Sequence, residues 1–179
     1  MTMTDLELVE QASQGDRDAF QRLLERHYDT IYRFAHRFAG NAHDAEDIAQ
    51  DVCLKLVDAL GTFRGNARFS TWLYRVVLNA ARDFARKGTT RAAAHKVYGE
   101  VRELDRADAV ENQARASWLS EALGALEPGL RETALLVVAE ELSHAQAAEI
   151  LDCAETTVSW RMGEVRKKLK SLAEMVHDR

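Results

Sequence analysis

Apolar residues recur along this chain at the three- and four-residue intervals of a helix, so elements can be marked before any chemistry is considered. Residues 5–14 form a short opening helix that Gly15 breaks, and Asp16 caps the next. In that long second helix Phe20, Leu23, Leu24, Ile31, Phe34, Ala35 and Phe38 make one face before a stop at Gly40-Asn41. A third helix runs from about Ala42 to Leu60, capped by Asn41, with Ala45, Ile48, Ala49, Val52, Leu56 and Ala59 inward. After a loop over 61–69, a fourth starts at Ser70 or Thr71 and ends near Lys87, with Gly88 as its stop signal. Its apolar stripe is Trp72, Leu73, Val76, Val77, Ala80 and Phe84. With one proline, Pro128, and so much helical period, an all-α protein is expected.

Residues 88–112 change character, with weak periodicity, small side chains and mixed charge. The segment 89–112 reads as a flexible linker between two small bundles, 1–88 and 113–179. In the second bundle Trp118, Leu119, Ala122, Leu123 and Leu126 share a face, Glu127-Pro128-Gly129 is a break, and Leu130 to Glu140 is a helix. Ser143 and Gln146 then have the spacing of a capping box. A short helix over 145–151 ends at Asp152-Cys153-Ala154. A longer one, from Glu155 or Thr156 to about Leu172, is buried through Val158, Met162, Val165, Leu169 and Leu172. A short helix, a tight turn and a longer helix with a basic end make a helix-turn-helix, whose second helix enters a major groove with its N-terminal turns leading. Thr157, Ser159, Trp160, Gly163 and Glu164 would then lie near base edges, and Arg161, Arg166, Lys167 and Lys168 near phosphates.

Charge sharpens this picture. The net charge of -5 argues against a nucleic-acid partner only as an average. Residues 1–63 carry 6 basic and 12 acidic groups, and 64–98 carry 8 and 1. Residues 99–155 carry 4 and 13, and 156–179 carry 6 and 3. Phosphate binding responds to local positive surface, so the two basic islands are candidate DNA faces inside acidic surroundings. The first island also holds rings and amides: Phe63, Phe69, Trp72 and Tyr74, with Asn66 and Asn79, among Arg64, Arg68, Arg75, Arg82, Arg86 and Lys87. Bases drawn out of a duplex need flat faces, amide hydrogen bonds and cations for their phosphates, and this mixture supplies all three. On the fourth helix Arg75, Asn79, Arg82, Asp83 and Arg86 fall three or four residues apart as one polar ridge. Asp44, Glu46, Asp47, Gln50 and Asp51 crowd the first half of the third helix; its dipole favours some of these acids, and the excess suits a basic protein partner.

Other classes of function find no support. Cys53 and Cys153 lack the spacing of paired ligands, the six histidines are scattered, and no glycine-rich phosphate loop or nucleophile with its base is present. No enzyme activity, cofactor or metal is expected. No apolar run approaches bilayer length and the first residues lack a signal-peptide core, so the expected location is cytoplasmic, without membrane insertion.

Three strings, DAEDIAQDVCLKL (44–56), FRGNARFSTWLYRVVLNAARD (63–83) and LSHAQAAEILDCAETTVSWRMGEVRKKL (142–169), resemble in content and order the extracytoplasmic-function sigma factors of bacterial RNA polymerase. The resemblance implies a first domain that binds the clamp helices of the polymerase's largest subunit and melts the minus-ten element. It implies a second that reads the minus-thirty-five element, with the polymerase flap as a further contact and an anti-sigma factor as regulator. By motif, Asp44, Asp47, Gln50 and Asp51 fall where the family meets polymerase. Arg64, Gly65, Asn66 and Phe69 fall in the loop that captures a flipped base, and Trp72, Arg75, Asn79, Arg82 and Arg86 on the helix beside it. Thr157, Ser159, Trp160, Arg161, Glu164 and Lys167 fall on the recognition helix. There the chain departs from the family pattern: Gly163 loses a contact and Glu164 reverses a charge, which implies an unusual minus-thirty-five preference. Two competing readings are a helix-turn-helix regulator whose first bundle is a sensing domain, and a sigma-like decoy that binds an anti-sigma factor without DNA.

Overall fold

The computed structural model describes residues 3–91 and 122–177, and the described residues contain helices and no strand. The expected linker over 89–112, Trp118 and Leu119 lie wholly or almost wholly outside them. The chain divides into two compact units, Met1–Tyr98 and Gly99–Arg179.

The first unit is built from α1 (Asp5–Ser13), α2 (Arg17–Ala39), α3 (Ala42–Ala59) and α4 (Phe69–Arg91), with a 3-10 turn at Leu60–Thr62. Each start has its cap. Thr4 and Glu7 form a capping box on α1, the Glu7 carboxylate accepting from Thr4 N–H at 2.7 Å, and that bond holds the carboxyl below its usual range. Asp16 Oδ1 accepts from the N–H groups of Asp18 and Ala19 at 2.9 and 3.1 Å. Asn41 Oδ1 accepts from Asp44 N–H at 2.9 Å, and Gly40 closes α2 in the left-handed conformation at φ 79°.

α2 packs against α1, α3 and α4, and α3 against α4. Leu8, Leu23, Ile31, Phe34, Ile48, Val52, Leu56, Leu73 and Leu78 are fully buried between them, each contributing roughly 1.5–3 kcal/mol. The inward face of α3 is as its spacing predicts, apart from a half-exposed Ala59, whereas Phe20, Leu24 and Phe38 of α2 are only half-buried. α4 departs further. It begins at Phe69 and passes through Gly88, because one glycine weakens a helix by about 1 kcal/mol without ending it. Its buried arc also holds Tyr74, Leu78 and Ala81, while Trp72, Val76 and Phe84 sit at the margin. Packing against two helices widens and turns the arc that a single stripe describes.

The second unit contains a helical end at 122–124, α5 (Pro128–Ala134), a π turn (Leu135–Ala139), α6 (His144–Leu151) and α7 (Glu155–His177). Pro128 stands at the first position of α5 instead of breaking before it, a place where its missing N–H costs nothing. The helix expected over 130–140 is α only in its first part; Glu140 N–H then donates to Leu135 O at 3.0 Å, five residues back. The Ser143–Gln146 capping box is formed, and Asp152 ends α6 in the left-handed conformation at φ 52°. Leu126, Leu130, Ala134 and Val165 form one buried cluster with Leu123 and Leu169 at its edge. Leu135, Leu136, Ala147, Ile150, Val158 and Met162 are also buried.

Candidate nucleic-acid and protein interfaces

The loop between α3 and α4 is anchored by rings. Phe69, at the first position of α4, is only 3 % exposed, so it is a foundation and not a free stacking face. The Phe63 ring meets it edge-on at 5.6 Å, the Trp72 ring lies 5.5 Å from it, and Phe63 and Trp72 lie 5.4 Å apart. Beneath, the His27 ring sits 5.0 Å from Phe69. Tyr74 is likewise buried, edge-on to Phe34 at 5.5 Å. Of the four rings, only Phe63 and Trp72 remain partly exposed. Above them Arg64, Asn66 and Arg68 face solvent, turned outward by Gly65, whose φ of 69° a β-carbon would oppose. Phe63 and Gly65 also border an open groove of about 330 Å³ against Leu6 and Val9 of α1.

Along α4, Arg75, Asn79 and Arg86 are exposed and Arg82 half-exposed, as the ridge spacing predicts. Asp83 belongs to the ridge as its brace. It forms an ion pair with Arg86, whose hydrogen bond holds the Asp83 carboxyl below the usual range.

α3 presents an outward stripe of a different kind. Asp47 and Gln50 are exposed, and the same face continues through Leu54 and Val57, which are 76 % and 59 % exposed. Leu54 and Val57 stand three residues apart on the helix, so they are neighbours on one face, and it is adjoining exposed apolar residues, not single ones, that mark contact surfaces. Asp51, half-exposed, pairs with Lys55 at 2.6 Å, and Lys55 lies 4.0 Å from Asp83 of α4. Asp44 is set apart: its carboxylate accepts from Asn41 Nδ2 at 2.9 Å, within the cap of α3.

In the second unit α6 packs against α7 across the turn at 152–154. Ser159, Trp160 and Lys167 are exposed on α7, Trp160 by 64 %, while Thr157, Arg161, Gly163 and Glu164 are half-buried. The Arg161 guanidinium lies against Gly129 at the start of α5, its Cζ 3.5 Å from where a β-carbon would stand. Glu164 pairs with Lys167 at 2.7 Å, and Ser159 Oγ is 2.9 Å from His144 Nδ1 of α6.

The Sigma-70 region 2 model matches residues 23–91 and the Sigma-70 region 4 model residues 116–169. The ECF RNA polymerase sigma factor SigW of Bacillus subtilis is 30 % identical, over 95 % of this chain and 97 % of its own. The chain belongs to the ECF sigma factors. Among solved structures, CnrH in complex with the cytosolic domain of CnrY is similar with a TM-score of 0.71 at 29 % identity, over 96 % of this chain and 97 % of that one. The sigma factor RpoE of Bartonella quintana in complex with the anti-sigma factor NepR is similar with a TM-score of 0.67 at 25 % identity, over 87 % and 96 %.

Sigma factors are transcription initiation factors and not enzymes. Among its described residues no group of side chains is arranged to hold a metal ion, and no helix is long and apolar enough to cross a membrane. Cys53 and Cys153 are free thiols. Sequence reading of this sigma factor missed Leu54 and Val57, although both are apolar positions off the buried stripe of α3. It also missed His27, which joins α1 to α4, and the approach of Lys55 to Asp83 across two helices, neither of which leaves a local signal.

Proposed function

We propose that this sigma factor binds core RNA polymerase through the outward stripe of α3 and captures melted minus-ten bases at the α3–α4 loop and the α4 ridge. The observation that carries the reading is the contrast between these neighbouring elements: Asp47, Gln50, Leu54 and Val57 face outward on α3, while Arg64, Asn66, Arg75, Asn79 and Arg86 do so on the loop and α4. An acidic, partly apolar stripe suits a basic protein surface, and a cationic ridge with amides suits single-stranded DNA. Asp44 and Phe69 support these surfaces from within, through a cap and a ring stack. In the second unit α7 reads the minus-thirty-five element in the major groove with Thr157, Ser159, Trp160, Glu164 and their neighbours, and the unit also meets the polymerase flap. An anti-sigma factor holds the protein inactive in the cytoplasm, as NepR is bound to its sigma factor.

Melting draws only on binding free energy. A base stacked on an aromatic ring gains roughly 1–3 kcal/mol, comparable to the few kcal/mol that unstacking costs. The free protein therefore binds promoter duplex weakly and opens it only with polymerase. Run-off transcription with sigma-free core polymerase across a pool of promoter fragments tests this, alongside an Asp47→Arg, Asp51→Arg double variant. Specific transcripts that disappear with the variant support both the initiation role and the α3 contact. No transcript, with tight sequence-specific duplex binding by the chain alone, would replace the reading with that of a helix-turn-helix regulator.

A further inference from the structure

The contact between His144 and Ser159 joins the first residue of α6 to the exposed face of α7, and no part of the reading above uses it. The two are fifteen residues apart in sequence, with Nδ1 and Oγ at 2.9 Å, a full hydrogen bond. A serine hydroxyl has one proton to give and two lone pairs to receive with. Within a helix that proton commonly goes to the carbonyl four residues back, a bond easily exchanged for another. Here an imidazole nitrogen from a different helix takes its place.

We propose that His144 fixes the hydrogen-bonding polarity of Ser159 and thereby selects which base α7 accepts beneath it. The inference rests on the reading that α7 enters the major groove. In the Nε2-protonated tautomer, the more stable neutral form of a histidine side chain in water, Nδ1 is an acceptor and Ser159 must donate to it. The hydroxyl oxygen then faces the DNA with lone pairs alone. In the major groove the amino groups of adenine and cytosine can donate to such an oxygen, whereas guanine O6 and N7 and thymine O4 are acceptors that repel it. Ser159 thus prefers an amino-bearing base, although serine by itself discriminates little because its hydroxyl turns to suit either partner. Ser159 and Trp160 beside it are both exposed at this end of α7.

Selection from a library of duplex promoters randomised across the minus-thirty-five region, with full-length protein and core polymerase, reads the effect directly. Four proteins are compared: wild type, Ser159→Ala, His144→Ala and His144→Lys. Lysine carries only donors, so its ammonium points a proton at Ser159 Oγ and turns the hydroxyl proton outward. Any phosphate attraction that lysine adds strengthens all sequences alike and leaves the base profile unchanged. Wild type is expected to enrich adenine or cytosine at one position by about fivefold, the worth of one neutral hydrogen bond. Ser159→Ala flattens that position, His144→Ala relaxes it, and His144→Lys moves the enrichment to guanine or thymine. Identical profiles for wild type and both His144 variants overturn the inference while leaving the sigma-factor reading intact, as does a Ser159→Ala profile equal to wild type. Absence of any enriched sequence with wild type overturns the major-groove reading, and the inference with it.

Discussion

The His27 ring of α2 lies 5.0 Å from the Phe69 ring of α4, tilted by 59°, while its Nε2 is 3.1 Å from the Asp5 carboxylate of α1. One side chain thus connects the first helix to the base of the loop that carries Arg64 and Asn66. The ring cluster above is held from below, and its members differ in what their loss should do. Phe69→Ala should destabilise the fold by about 3–5 kcal/mol, as for other buried aromatics. Arg64→Ala should leave stability within roughly 0.5 kcal/mol of wild type and reduce promoter opening. Chemical denaturation of both variants, beside run-off transcription, separates the foundation from the contact.

Asp5 also gives the first unit a pH dependence. Burial alone would raise its carboxyl, yet hydrogen bonds from Arg26 at 2.6 Å and from His27 hold it below its ordinary value of 3.8. A carboxylate depressed in the folded state stabilises above its unfolded pKa, and this contribution is lost as pH falls through the folded one. Asp5→Asn should therefore lower stability near pH 7 by about 1 kcal/mol. The difference from wild type should close below pH 3.8. Thermal melts of both proteins between neutral and acid pH check the sign.

Lys55 stands between Asp51 and Asp83, and all three side chains are 39–46 % exposed. Water and salt screen such pairs, so Lys55→Ala should cost less than about 1 kcal/mol. The loss should shrink further as salt is raised. Denaturation at low and high ionic strength measures it; a large, salt-independent loss would mean that the lysine stem packs more than its charge binds.

Glu164 reaches a base only by leaving Lys167, its partner at 2.7 Å. A cytosine amino group is the donor that would replace the ammonium. Glu164→Arg removes both the acceptor and the pair, and should change the selected minus-thirty-five sequence at one or two base pairs. Promoter profiles for the two proteins give the answer, and identical profiles would count against base contact by Glu164.

Much of this was readable from spacing. The caps at Asp16, Asn41 and Ser143 and the inward face of α3 are local, and each was legible from a few neighbouring residues. The α4 ridge followed from the same arithmetic. What escaped was tertiary. The burial of Phe69 and Tyr74 depends on α2 lying across α4, which no pattern within 63–87 encodes. Gly88 and Pro128 misled because each is a stop signal only in a particular place: a glycine past the end of a helix, a proline beyond its first turn. Arg161 reads as a phosphate contact from its position on α7; that its guanidinium lies against Gly129, a residue thirty-two positions earlier, no pattern within α7 encodes.

The π turn at Leu135–Ala139 bears on how relatives of this chain diverge in length. Each residue of an α-helix advances the chain by about 100° around the axis. A π turn closes its hydrogen bond over one residue more than an α turn does, so a one-residue deletion here would convert the turn to regular helix and leave Ser143, α6 and α7 facing nearly the same way relative to α5. An alignment gap placed between 135 and 139 is thus absorbed by the turn, whereas the same gap within α5 would turn everything after it. Relatives carrying such a gap should need no compensating substitutions around Leu135, Leu136 and Val158 to point α7 in the same direction.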